Sequence, residues 1–169
     1  MSGRLDNLWL AKVSDVEDPE GRGRIKMQYM SFEDGLESDW APVAAPYAGP
    51  DHGVYTMPEV DDLAVVAFLA GNVNQPIVLG FIWSGDGSPP ASATTEKIWK
   101  SKQGHALTLS DDTIDGILIE DKHGNRIQMD KDGITIESAK ALTIKASSTA
   151  LIDISGEATM KGNPIQLNP

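Results

Sequence analysis

From about Lys97 to Pro169 one short unit keeps returning: a large apolar residue, a central residue that is nearly always polar or small, and a second apolar residue. The units are Leu107-Thr108-Leu109, Ile117-Leu118-Ile119, Ile127-Gln128-Met129, Ile134-Thr135-Ile136, Leu142-Thr143-Ile144, Ile152-Asp153-Ile154, Ala158-Thr159-Met160 and Ile165-Gln166-Leu167. Their starts lie 10, 10, 7, 8, 10, 6 and 7 residues apart. Alternation of this kind puts the outer two residues of a triplet on one face of a short strand. A helix is excluded: Thr, Ile and Val dominate, Gly interrupts, and no apolar stripe at three- and four-residue spacing survives. Strands this short bury a continuous apolar column only when neighbouring units, or neighbouring chains, close it. Ordinary hairpins on a β-sandwich are the plainer alternative, but the column is too narrow and regular for a sandwich core.

The rest of the composition suits that reading. Ten prolines and sixteen glycines favour an all-β chain with many turns, and 40% apolar residues fit a small barrel plus a thin stack better than one large core. Of the net charge of −11, residues 1–94 hold 14 acids and 5 bases (−9) and residues 95–169 hold 11 acids and 9 bases (−2). An acidic first half argues against nucleic acid and anionic membrane as partners, since both need basic faces. Without cysteine there is neither a disulfide nor a thiolate metal site. Met1 to Asp6 has no hydrophobic signal core, so synthesis and folding in the cytoplasm are expected.

In chain order, residues 8–16 read as a first strand, Glu17 to Gly21 as a turn, and Arg24 to Tyr29 as a strand with Ile25, Met27 and Tyr29 on one face. Trp40 to Ala44 is a short third strand with Pro42 at an edge or bulge, and residues 45–61 form a long ordered loop. Leu63 to Leu69 is almost wholly apolar, residues 70–76 turn, and Ile77 to Trp83 is a fifth strand. Five strands of this kind fit a small closed barrel of the oligonucleotide/oligosaccharide-binding (OB) type. Ser84 to Ala93 is a linker by composition, and Trp99 is expected to anchor the join between the two parts.

Two stretches carry a family resemblance. One is the barrel series Asp18-Pro19, Gly23-Arg24-Ile25-Lys26-Met27, Trp40-Ala41-Pro42-Val43-Ala44, Ala48-Gly49, Gly53-Val54-Tyr55, Met57-Pro58-Glu59-Val60-Asp61-Asp62, Phe68, Gly71-Asn72 and Pro76-Ile77-Val78-Leu79-Gly80. The other is Asp121-Lys122-His123-Gly124-Asn125-Arg126-Ile127-Gln128-Met129-Asp130 followed by Gly133-Ile134-Thr135-Ile136. In this order they resemble the baseplate assembly protein V family of contractile-tailed phages and the VgrG spikes of type VI secretion. Asp61-Asp62-Leu63 departs from the Gly-Asp-Glu-like turn more usual there, a change confined to a loop. The resemblance implies an all-β chain: an OB-fold barrel over 1–84, a linker over 85–96, and an intertwined trimeric triple-stranded β-helix, or β-prism, over 97–169. It further implies a minimal spike without a lysozyme-like insert, docked on a separate baseplate hub protein and capped by a PAAR-repeat tip protein.

Chemistry is expected to be absent. No hydroxyl has a partner histidine or a nucleophile-elbow sequence, and the adjacent acids Asp61-Asp62 and Asp111-Asp112 read as turn residues, not a carboxylate dyad. Some spikes of the family hold iron through a C-terminal His-X-His element. Here His52, His105 and His123 lie far apart in sequence, so no metal or cofactor is expected. The expected function is therefore structural: a homotrimeric membrane-puncturing needle, assembled into a virion baseplate or contractile injection particle, meeting the target-cell outer membrane only on injection. The expected trimer core is Leu107, Leu109, Ile117, Ile119, Ile127, Met129, Ile134, Ile136, Leu142, Ile144, Ile152, Ile154, Met160, Ile165 and Leu167. The tip partner is expected on Ile165, Leu167, Asn168 and Pro169. The rival from another class is an oligomeric carbohydrate- or nucleic-acid-binding OB module on a β-stalk, which needs stacking aromatics and basic residues around the barrel loops.

Overall fold

The computed structural model describes residues 7–31, 35–85 and 87–165. The chain divides into two compact units at Ser92/Ala93.

The first unit is a five-stranded antiparallel sheet in the order β3-β2-β1-β6-β7. Its strands are β1 (Trp9–Asp15), β2 (Arg24–Tyr29), β3 (Ala41–Pro42), β6 (Leu63–Phe68) and β7 (Pro76–Ile82). A small hairpin, β4 (Ala48–Gly49) with β5 (His52–Gly53), stands inside the long loop. The sheet curls until Val43, just past β3, pairs in parallel with Val78 of β7. There the Ala44 N–H donates to the Val78 carbonyl at 2.8 Å, which closes the OB-type barrel anticipated from the strand pattern. Period-two alternation fills the interior: Ala11 and Val13 of β1, Ile25, Met27 and Tyr29 of β2, Ala64, Val66 and Phe68 of β6, and Val78. Trp9 and Tyr29 pack on Phe68 with ring centroids 6.2 and 5.6 Å away.

One carboxylate organises the β1–β2 connection. Asp18 accepts the backbone N–H groups of Glu20 and Arg22 at 3.1 and 2.9 Å, and the Arg24 guanidinium at 2.9 and 2.7 Å. The Arg24 hydrogen bonds hold its carboxyl well below the usual carboxylate range, against the opposing effect of burial. Asp61 and Asp62 are turn residues, as expected. Asp61 has a φ of 80° and pairs with Lys12 at 2.8 Å, while Asp62 accepts the Glu59 N–H at 2.8 Å.

The second unit contains an antiparallel meander of five strands in sequence order: β8 (Glu96–Lys100), β9 (Ala106–Ser110), β10 (Gly116–Glu120), β11 (Arg126–Asp130) and β12 (Gly133–Glu137). A 20-residue duplication builds it. Ser101-Lys102-Gln103-Gly104-His105 and Asp121-Lys122-His123-Gly124-Asn125 are equivalent turns. In each, the first residue's N–H donates to the carbonyl of the fifth (2.9 and 3.1 Å), and the glycine N–H donates to the carbonyl of the first (2.9 and 3.3 Å). The first side chain accepts the fifth N–H, at 3.1 Å from Ser101 and 3.0 Å from Asp121. The positive φ of Gly104 (94°) and Gly124 (87°) explains the shared glycine. Gly116, at the start of β10, lies so close to Met129 that a Cβ there would sit 2.0 Å from the Met129 carbonyl oxygen.

Beyond β12 the repeated triplets change character. Among the described residues none after Glu137 belongs to a strand, so Leu142-Thr143-Ile144, Ile152-Asp153-Ile154, Ala158-Thr159-Met160 and Ile165 have no intrachain ladder. The physical reason is local. Short triplets separated by Ser, Ala, Gly and Lys find no neighbouring backbone in their own chain, and a strand exists only against a partner.

Candidate oligomerisation face

Register across the meander assembles the expected core residues into two rows. Trp99, Leu107, Ile119, Ile127 and Ile136 stand directly opposite one another on successive strands. Beside them run Lys97, Leu109, Ile117, Met129 and Ile134. The other face of the same strands carries Ile98, Thr108, Leu118, Gln128 and Thr135, with Glu120, Arg126 and Glu137 nearby. One face is therefore almost purely apolar and the other mixed, with polar groups partnered by Arg126 Nε to Glu137 (2.7 Å), Gln128 Nε2 to Asp130 (2.6 Å) and Ser110 Oγ to Glu96 (2.7 Å).

The apolar face is largely exposed among the described residues. Trp99 is 61% exposed, Ile134 71% and Ile136 59%, whereas the interior residues of the barrel lie near zero. A groove of about 690 Å³ runs along the first row, and Leu142 lines it as well. Exposed apolar area this continuous marks an interface. Beyond it, Leu142, Ile144, Ile152, Ile154, Met160 and Ile165 are all exposed, Ile144 at 79%. Leu167, Asn168 and Pro169 lie outside the described residues.

A hydrogen-bond relay ties the start of the C-terminal segment to the β10–β11 turn. The Asp121 carboxylate accepts the Asn125 side-chain amide at 2.7 Å. The Asn125 side-chain oxygen, Oδ1, in turn accepts the Ser138 hydroxyl at 3.1 Å and the Ala139 N–H at 3.0 Å. The Asn125 side-chain amide, with the backbone N–H groups of Asn125 and His123, pulls the Asp121 carboxyl down to about 2, against the opposing effect of burial. Sequence reasoning missed this relay, and it also missed Lys97 and Trp99 as members of the two rows. The 20-residue repeat of Lys-x-Gly was the available signal for both.

The histidines need a correction. Far apart in sequence, His105 and His123 come side by side, with ring centroids 6.3 Å apart, because their hairpin turns are neighbours in the meander. Among the described residues no group of three His, Cys, Asp or Glu side chains gathers around a common point. In the barrel unit a second groove of about 580 Å³ is lined by Tyr47, His52, Tyr55 and Arg22. Arg22 is engaged by Glu20 at 3.0 Å, and Asp51 also lines the groove, so its charge does not favour a polyanion.

Comparison with known proteins agrees with this geometry. Residues 9–83 match the family of the type VI secretion system/phage-baseplate injector OB domain, and residues 97–167 match the phage baseplate V C-terminal trimerisation domain. Two relatives are the type VI secretion system spike proteins VgrG2a and VgrG2b of Pseudomonas aeruginosa. Each is 29% identical over 134 residues, which cover 67% of this chain but only 16% and 13% of the relatives. The actin cross-linking toxin VgrG1 of Vibrio cholerae is 29% identical over 82 residues, 47% of this chain and 8% of the toxin. The exposed apolar rows thus fall inside a domain whose kind is defined by trimerisation, and the chain belongs to the phage baseplate V family of baseplate and injection-system spike proteins.

Proposed function

We propose that three copies of this chain form the central spike of a contractile tail or injection-system baseplate. In this reading residues 1–84 form the barrel, 85–96 the linker, and 97–169 the intertwined β-prism. Leu107, Leu109, Ile117, Ile119, Ile127, Met129, Ile134 and Ile136 supply the upper part of the three-chain core, and Leu142, Ile144, Ile152, Ile154, Met160, Ile165 and Leu167 the lower part. The observation that carries the proposal is the double apolar row left open on the meander, followed by a segment of alternating apolar residues with no strand partner among the described residues. A closed three-fold arrangement covers the rows and gives the segment its ladders without leaving an open edge.

The function is mechanical and not catalytic: a stiff needle driven through the target's outer membrane when the sheath contracts. A separate hub protein holds the barrel end, and a PAAR-repeat tip protein sits on Ile165, Leu167, Asn168 and Pro169, where an open β-helix end needs a cover. Synthesis is cytoplasmic and the finished spike resides in the virion baseplate or injection particle. Sedimentation velocity of the whole chain at micromolar concentration is expected to give a trimer; a stable, well-folded monomer refutes the proposal. Screening the same sample against glycans and single-stranded DNA is expected to give no specific hit. A specific ligand held by Tyr47 and Tyr55 would favour the binding-module reading instead.

A further inference from the structure

The duplicated turns place two histidines on a diagonal. Counted from the first residue of each turn, the third and fifth positions are Gln103 and His105 in one copy and His123 and Asn125 in the other. The two amides serve the fold. Gln103 Oε1 accepts the Lys122 ammonium at 2.8 Å across the gap between the turns, and Asn125 carries the relay from Asp121 to Ser138. The two imidazoles are exposed and stand beside one another, with ring centroids 6.3 Å apart.

The backbone holds that pair in place. The β9–β10 ladder ends with Ala106 opposite Glu120, so His105 and Asp121 are the first residues beyond it. The turns also touch: a Cβ added to Gly104 would lie 3.8 Å from Lys122 Cβ. Each histidine's own backbone N–H donates to the first side chain of its turn, His105 to Ser101 at 3.1 Å and His123 to Asp121 at 2.8 Å. Both rings therefore sit on fixed backbone and keep only their side-chain torsions free. An ion that holds two imidazoles at about 2.0–2.1 Å sets the bonded nitrogens about 3–3.5 Å apart, which rings at this spacing reach by a modest turn about those torsions.

We propose that His105 and His123 form a two-imidazole site for a divalent transition-metal ion of the zinc class, with water completing its coordination. Imidazole nitrogens select such ions, whereas magnesium and calcium need sets of oxygen ligands. The charge beside the site is balanced: the Lys122 ammonium is held on Gln103, and the Asp121 carboxylate lies in the same turn as His123. A net charge of −11 on the whole chain also favours uptake of a cation. Bound there, the ion clasps the β8–β9 turn to the β10–β11 turn. It stabilises the folded meander, because it binds that state in preference to the open chain. Both ligands come from one chain, so the site stands apart from the trimer proposed above.

The chain has three histidines and no cysteine, so His52 in the barrel unit is the internal control. The test titrates zinc chloride into the full chain by calorimetry at about pH 7.5, where ordinary imidazoles are neutral. Melting temperatures are read on the same samples with and without the ion. One ion per chain is expected, with a rise in melting temperature. His105→Gln and His123→Gln should each weaken uptake at least tenfold and remove that rise, while His52→Gln matches wild type in both measurements. Either His105→Gln or His123→Gln binding zinc within twofold of wild type overturns the proposal. So does a wild-type chain that takes up none at about 1 mM zinc.

Discussion

Replacing Ile136 with aspartate tests the face on which the spike reading depends. Ile136 sits on β12 at the end of the row Trp99-Leu107-Ile119-Ile127-Ile136 and is 59% exposed in the single chain. Fully burying an isoleucine stabilises by about 1.5–3 kcal/mol, so closing the remaining surface contributes about 1–2 kcal/mol per chain and about 3–5 kcal/mol per trimer. At about 1.4 kcal/mol for each tenfold step, the apolar loss alone weakens assembly by about two to four powers of ten. A carboxylate carried into that core adds several kcal/mol more, unless it binds a proton. The matched control is Thr135→Asp, one residue earlier. Its side chain stands opposite Gln128 on the mixed face, so the same charge costs little there. Sedimentation velocity at micromolar concentration should show Ile136→Asp dissociated and Thr135→Asp trimeric. An Ile136→Asp protein as trimeric and heat-resistant as wild type would refute the assignment of this face, and so would equal dissociation of the two variants.

Further down the chain, Ile144→Asp should abolish trimerisation or lower the melting temperature by many degrees while Lys145→Asp leaves both nearly unchanged; equal melting curves would show the wrong register for the C-terminal segment. Acid should weaken the fold in a defined window. Asp121 is held down to about 2, and Asp18 lower still by Arg24, whereas an unfolded aspartate titrates near 3.9. Folded values below unfolded ones mean a stabilising contribution that is complete above about pH 4 and is lost as pH falls through 4 toward 2. Melting temperatures of wild type should drop across that window, and those of Asp121→Ala should drop less; parallel curves would contradict the relay.

Much of the fold was legible because single residues left little choice. Ile25, Met27 and Tyr29 alternate with Arg24, Lys26 and Gln28, and that pattern has one solution on a closed sheet. Pro19 and Gly21 punctuate the turn that Asp18 then ties together. The candidate face was legible through its triplets, since period two puts Ile127 and Met129 on the same side in any strand register. What stayed hidden depends on juxtaposition across the chain. His105 and His123 meet because two hairpin turns are neighbours, which no spacing along the sequence states. Ile144 and Ile152 fit a strand pattern equally well, yet the alternation is silent on whether the paired backbone belongs to the same chain. The small hairpin of Ala48–Gly49 with His52–Gly53 was hidden inside a loop rich in Pro and Gly.

The duplicated hairpin of the second unit carries a consequence for size. Neighbouring strands lie about 4.8 Å apart, so each 20-residue copy extends the stack by two spacings, about 10 Å, and returns the chain to the same edge facing the same way. Length can therefore grow in whole rungs while both apolar rows stay continuous. A copy that shifts the strand register by one residue breaks the seam, because it turns every following side chain to the opposite face. A shaft built on this plan is a ruler marked in hairpins, and its reach is set by how many 20-residue copies it holds.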